Sequence, residues 1–432
     1  MEVREAGAKY LAKAGYKQTE VGVIPAEWDV RRLGDLARIH TGIAKNTKAV
    51  LLDPIEVRYL RVANVQDGYL DLSEVSTIRI DRSDLRRFSV LPNDVLMNEG
   101  GDLDKLGRGA LWRGQIQACV HQNHVFVVRC KDGLLPEFLN AWTSSPAARR
   151  YFLLAGRQTT NLASINKTSL GQLPVPVPTD TAEQQAIAEA LSDADALIES
   201  LERLLAKKRH LKQGAMQQLL TGKKRLPGFS GEWGVKRLGE TATLKARIGW
   251  QGLTTAEYLD TGDYYLVTGT EFKNGYIDWN SCHYVDASRY KQDKYIQLKE
   301  HDVLVTKDGT IGKVALITDL PRPATLNSGV FVIRPVENAF HPEFFYYLLC
   351  SNVFTEFLTQ LSAGSTINHL YQKDFVSFVY RTPATIKEQT AIAAILSDMD
   401  AELAILEAKL AKVRSLKQGM MQELLTGRIR LV

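Results

Sequence analysis

Apolar residues fall at Ile187, Leu191, Ala194, Ile198, Leu201 and Leu205, spaced 4, 3, 4, 3 and 4 apart. That is the a/d seam of a coiled coil, which predicts a long helix. Ile392, Leu396, Met399, Leu403, Leu406 and Leu410 keep the same register, each 205 residues later, so a second helix of the same form is predicted, able to zip against the first. Thr181 with Gln184, and Thr385 with Glu388, read as capping boxes at the two starts. Gly222 and Gly427, each after LLT, read as stops. Gly214 and Gly419 interrupt the pattern at equivalent sites and mark a bend, a tight crossing or a tolerated glycine. An unbroken helix over Ala182–Leu220 would extend roughly 58 Å at about 1.5 Å per residue.

Elsewhere the periodicity shortens. EVRYLRVANV, QACVHQNHVFVVRC, DYYLVTGTEF, HDVLVT, GKVALIT and SGVFVIRP are β-branched or aromatic runs bounded by Gly, Asp and Asn, and each predicts strand. PEFLNAWTSSPAARRYFLLAG and PEFFYYLLCSNVFTEFLTQLSAG carry a helical period, opened by Pro and closed by Gly.

The 205-residue offset runs through the whole chain. It pairs WDVRRLG at Trp28 with WGVKRLG at Trp233, and Pro178 with Pro383. Solenoid repeats are about 20–50 residues long, so this period means two tandem domains. The expected layout is an N-terminal segment 1–27, a variable α/β domain 28–178, a repeated helix 179–227, a second variable domain 228–383 and a second repeated helix 384–432. Joining the chain ends would recreate the central junction. The layout is thus a pseudo-twofold ring in which a circular permutant cut near Gly228 should fold.

With 432 residues, 45% hydrophobic and 24% charged, the composition is that of a globular protein. The net charge of +5 permits nucleic-acid contact without demanding it. Residues 31–178 hold 20 basic against 14 acidic residues, whereas 228–383 hold 15 against 17. If both domains bind nucleic acid, the second must do so by local arrangement. Four scattered cysteines and a charge-interrupted N-terminus fit the cytoplasm, with no membrane contact.

No catalytic signature emerges. EGGDLDKLGRG and KDGTIGK are glycine-rich but lack the spacing of a phosphate or dinucleotide loop. His121 and His124 have no ligand partners at metal spacing, and the Asn/Asp-Pro-Pro-aromatic loop of an amino-directed DNA methyltransferase is absent. The expectation is a chain with no catalytic residues, no metal site and no cofactor of its own.

The opening YKQTEVGVIPAEWDVRRLGDL, its echo LPGFSGEWGVKRLGE, the two EQxAIAxxLSDxDA helices ending in LLTG, and the loops NEGGDLDKLGRGALW and KDGTIGKVAL together resemble the specificity subunit of a type I restriction-modification system. The resemblance spans nearly the whole chain. It implies mixed α+β target-recognition domains carried on two long antiparallel helices. Each domain would read half of an asymmetric, bipartite site on double-stranded DNA. The helices would dock modification (adenine methyltransferase) subunits, and the assembly would recruit restriction (motor-nuclease) subunits. S-adenosylmethionine, ATP and magnesium are then expected on those partners. The alternative is a coiled-coil scaffold that joins protein partners without reading DNA; a nucleotide-dependent enzyme built on the glycine loops fits less well.

Candidate DNA contacts follow from loop polarity and base-edge chemistry. In the first domain they are Lys105 and Arg108, where glycines allow close approach and Arg can pair with guanine or phosphate; Gln122 and Asn123, able to read adenine or to serve the strand; and Gln158, Thr159, Thr160 and Asn161 after Gly156. In the second domain they are Lys307, Thr310 and Lys313, then Ser365, Thr366, Asn368 and His369 after Gly364.

Overall fold

The computed structural model describes residues 14–45, 51–101, 106–158, 163–362 and 369–431. It divides into two compact units, one formed by residues 1–202 with 409–432, the other by 203–408. The boundary passes through both long helices, Thr181–Leu219 and Ile386–Leu424, so each unit owns the first half of one helix and the second half of the other.

Within the first unit the helix halves run antiparallel, since Lys417 pairs with Asp195 while Arg414 pairs with Glu202 at 2.5 Å. The second unit repeats these pairs as Lys212 with Asp400 and Arg209 with Glu407. The seam forms as expected. Ile187, Leu191, Leu201, Leu205, Ile392, Leu396, Leu403 and Leu410 are buried, with Ala194, Ile198, Met399 and Leu406 partly so. The fold class is the expected one, mixed α/β units with two long antiparallel helices.

Two expectations about the helix ends need correction. Asp180, not Thr181, caps the first helix, its carboxylate accepting the Ala182 N–H at 2.8 Å. Gln184 makes no capping box. Its amide instead accepts the Leu135 N–H at 2.9 Å and donates to Pro178 O, and Gln389 does the same to His341 and Pro383. A long amide reaches across to the domain because both of its ends find backbone partners there. Thr385 does cap the second helix, accepting from Glu388 N at 3.3 Å. Among the described residues, no atom beyond the helix's own backbone comes within 4 Å of where a Cβ on Gly214 or Gly419 would be, so neither is a tight crossing.

Each unit is built on the same antiparallel four-stranded sheet. The strand order is Ala37–Thr41, Val125–Cys130, Val95–Asn98, Gly109–Leu111 in one, and Ala242–Lys245, Val330–Pro335, Val303–Thr306, Val314–Leu316 in the other. A three-stranded sheet beside it has Pro54–Leu60 or Tyr264–Val267 at its centre, parallel to one neighbour and antiparallel to the other. The helical runs each break in two, at Pro136–Thr143 and Pro146–Ala155, and at Pro342–Leu349 and Asn352–Ser362. Their apolar faces complete cores around Trp28, Phe126, Phe138 and Trp142, and around Phe344, Phe345, Phe375 and Tyr380. Full burial of such side chains contributes about 1.5–3 kcal/mol each.

QACVHQNHVFVVRC is not one strand. It turns at Gln122 and Asn123, placing Cys119–His121 in the three-stranded sheet and Val125–Cys130 in the four-stranded one. A fixed ion pair sits on this second strand in both units: Arg129 forks onto buried Asp94 with both contacts at 2.7 Å, and Arg334 onto Asp302 at 2.6 Å.

Candidate nucleic-acid interface

In the second unit the central strand Val303–Thr306 runs into the loop KDGTIGK and returns as Val314–Leu316. One hydroxyl braces this turn. Thr306 Oγ1 donates to Thr310 O at 2.5 Å and accepts the Lys313 N–H at 3.0 Å. Gly309 and Gly312 take positive φ of 67° and 81°, and a Cβ on Gly312 would lie 2.4 Å from Leu358, so only glycine fits there.

The braced loop forms one wall of a cleft of about 810 Å³. Thr310 and Lys313 are exposed along it, facing Thr268 and Thr270 from the turn after Tyr264–Val267, with Asn327 and Ser328 between. The opposite turn is fixed by buried Glu271, whose carboxylate accepts the Thr268 and Gly269 N–H groups, both at 3.0 Å. The cleft is lined by hydroxyls, amides and Lys313 together with the carboxylates of Asp260 and Asp308, a set of donors and acceptors suited to base edges more than to phosphates.

Lys307 lies elsewhere. Its side chain is 12% exposed, its ammonium stands 5.7 Å from the Phe331 ring and 3.8 Å from Asp308, and it does not line the cleft. His369 is brought to the loop, its imidazole bonded to Asp308, while Leu370 N donates to Lys307 O. Ser365, Thr366 and Asn368 fall outside the described residues.

The first unit places its two candidate loops together in the same way. Gly100–Gly101 pairs with Ala163–Ser164, which pairs with Arg157–Gln158, and Ile165 N donates to Glu99 O at 2.8 Å. Arg108 is half-buried at the loop's return, its carbonyl accepting the Asn98 N–H. Lys105, Thr159, Thr160 and Asn161 lie outside the described residues. Gln122 and Asn123 form the turn between the two sheets, their N–H groups donating to Leu60 O and Ile43 O. Beside them His121 is structural: buried, bonded through Nδ1 to Val125 O at 2.6 Å, and pushed down by burial to a pKa of about 4. His124 instead meets Glu99 at 2.6 Å.

The cleft residues missed in the sequence, Thr268, Thr270, Asn327 and Ser328, had a signal. Each follows or precedes a core strand within a short polar-glycine run, TGT or NSG, as KDGTIGK does. What hid them is that their loops converge only through sheet topology.

Residues 25–207 and 230–415 match the family model described as type I restriction modification DNA specificity domain. A Methanocaldococcus jannaschii chain named for the specificity subunit of the type I restriction enzyme MjaX is 25% identical, over 98% of both chains. The MjaVIII specificity subunit of the same organism is 22% identical over 98% of this chain and 97% of its own. Among solved structures, the S subunit of a type I restriction-modification system from M. genitalium has the same fold, with a TM-score of 0.59 at 15% identity over 92% of this chain and 96% of that one. A second, from work on complex assembly and conformational transition of the type I system, has a TM-score of 0.55 at 17% identity over 94% and 99%. Matched by the family model in both of its halves, the chain belongs to the type I restriction modification DNA specificity domain family.

Proposed function

We propose that this chain is the DNA-reading subunit of a type I restriction-modification assembly, each unit recognising one half of an asymmetric, bipartite site. The observation that carries the reading is the duplication itself: two units with the same sheet order, the same arginine fork on a buried aspartate and a glycine loop at the same return of the central sheet. The halves differ in loop sequence, so they would read different half-sites.

On this reading the long helices dock modification subunits, and restriction subunits join the assembly. S-adenosylmethionine, ATP and magnesium belong to those partners, this chain carries no catalytic group, and the complex works in the cytoplasm. Among the described residues no helix is long and apolar enough to cross a membrane.

The test is co-expression with a modification subunit encoded beside it, followed by mapping of methylated adenines in the host genome. A split motif with a constant gap is the expected result. Normal assembly without any such motif would refute the reading in favour of a scaffold.

A further inference from the structure

We propose that the open edge of the four-stranded sheet in each unit, together with the short helix beside it, grips the phosphate backbone of DNA, separately from the glycine-loop cleft. This rests on the DNA-reading role proposed above and adds the surface that supplies its non-specific affinity.

In the first unit the edge strand is Ala37–Thr41, which among the described residues pairs only with Val125–Cys130. Its alternation buries Ala37 and Ile39 and turns Arg38 and His40 to the other face. Lys167, exposed, opens the short helix Lys167–Gly171 lying against this strand. Burial first, then the cations Arg129, Lys167 and Arg38, hold the His40 imidazole below its ordinary pKa, with Asp94 the opposing acid. The His40 Nε2 is buried with no hydrogen-bond partner among the described residues. Arg129 is already engaged by Asp94, so the exposed Arg38 and Lys167 are the cations this edge offers to an anion.

The second unit presents the same place in the repeat with different residues. Lys245, 205 residues after His40, ends the edge strand Ala242–Lys245 and is exposed. The ammonium groups of Lys245 and Lys294 both stand 5.4 Å from the ring of Tyr295, itself 57% exposed. On the other side the helix Gln372–Phe375 is held by Gln372 donating to Leu244 O at 3.3 Å, and carries Lys373 5.6 Å from the exposed Tyr371 ring.

This arrangement answers the puzzle posed by the acidic second domain, because lysines spaced by tyrosines concentrate charge where the net count is negative. Duplex DNA fits each edge, since its backbone needs only cations and no fixed base geometry.

The probe is a labelled duplex of mixed sequence, bound by the full chain in complex with its modification subunit across a salt series. Arg38→Ala with Lys167→Ala, and Lys245→Ala with Lys294→Ala, should each make the slope of log affinity against log salt shallower by about 1 for every phosphate no longer neutralised. Preference among sequences should stay unchanged, and Lys245→Arg should restore the slope. Arg82→Ala, removing an exposed cation already paired with Asp53 at 2.7 Å, should leave it as in the unaltered chain.

Slopes identical to the unaltered chain would overturn the proposal. So would an unchanged slope with loss of the modification subunit, which would make the edge a protein interface. Failure of the unaltered complex to bind any duplex would instead refute the DNA reading itself, and with it this surface.

Discussion

Arg430 closes a fork on the carboxylate of Glu183, 247 residues earlier, with Nη2 2.8 Å from Oε2, and the same carboxylate accepts the indole N–H of Trp28 at 3.1 Å. The second unit repeats the fork with the arginine 205 residues earlier and the carboxylate 205 later, as Arg225 on Glu388 at 2.6 and 2.7 Å. Both carboxylates sit at the start of a long helix, where the unpaired N–H groups favour negative charge. Each unit is therefore locked by an arginine from just beyond the end of the other long helix.

Removing the arginine leaves a buried carboxylate without its counter-charge. Arg430→Ala should cost the first unit about 3 kcal/mol, and Arg225→Ala a similar amount in the second. Arg430→Lys should recover only part, because an ammonium cannot fork. Thermal melting followed by limited proteolysis would assign each loss to its unit; equal melting of the unaltered and Arg430→Ala chains would refute the lock.

Two glycines at helix ends and interiors should respond with opposite sign. Gly427 has φ of 66°, and a Cβ there would stand 2.5 Å from Pro25. Gly427→Ala should therefore destabilise by about 1–2 kcal/mol from backbone strain alone. Gly419→Ala, inside the second long helix with open space around it, should stabilise by up to about 1 kcal/mol. Denaturant midpoints of the two variants would show it.

His121 makes stability depend on pH. Its folded pKa of about 4 lies below the ordinary 6.5, so its contribution is fully present above pH 6.5 and is lost as pH falls toward 4. The full effect is about 3 kcal/mol. His121→Asn can keep a donor to Val125 O but cannot titrate, so its urea midpoint should fall less between pH 7 and pH 4 than that of the unaltered chain.

Thr306→Val keeps the shape of the central strand while removing the hydroxyl that joins Thr310 to Lys313. The chain should still fold, at a cost of about 1–3 kcal/mol. Recognition of one half-site should relax while the other stays sharp, as read by methylated-adenine mapping.

Tyr16 Oη donates to Gly427 O at 3.2 Å, so described residues from the first and last segments of the chain meet within the first unit. A permutant with its ends joined and a cut near Gly228 should be soluble, with both units retaining native protease resistance.

Much of this architecture was legible because it depends on local pattern. The 4-3 spacing from Ile187 to Leu205 needs only a helix to become a buried stripe, and the strands HDVLVT and SGVFVIRP needed only their apolar content. The failures lie where a side chain chooses between near and distant partners. Gln184 sits at a capping-box position, yet its amide bonds to Leu135 and Pro178, and Lys307 looks like a surface cation until the Phe331 ring is brought beneath it.

The sequence by itself determined the duplication, the helical register, the glycines that turn each loop and the family. Those are consequences of repeated order and of backbone freedom, which neighbours in the chain specify. Only the tertiary structure decided which residues share a cleft or an edge. Thr268, Thr310 and Asn327 converge, and Lys245 meets Tyr295, because strand order in a sheet is fixed by non-local hydrogen bonding and core packing, for which no short stretch of sequence carries the pairing.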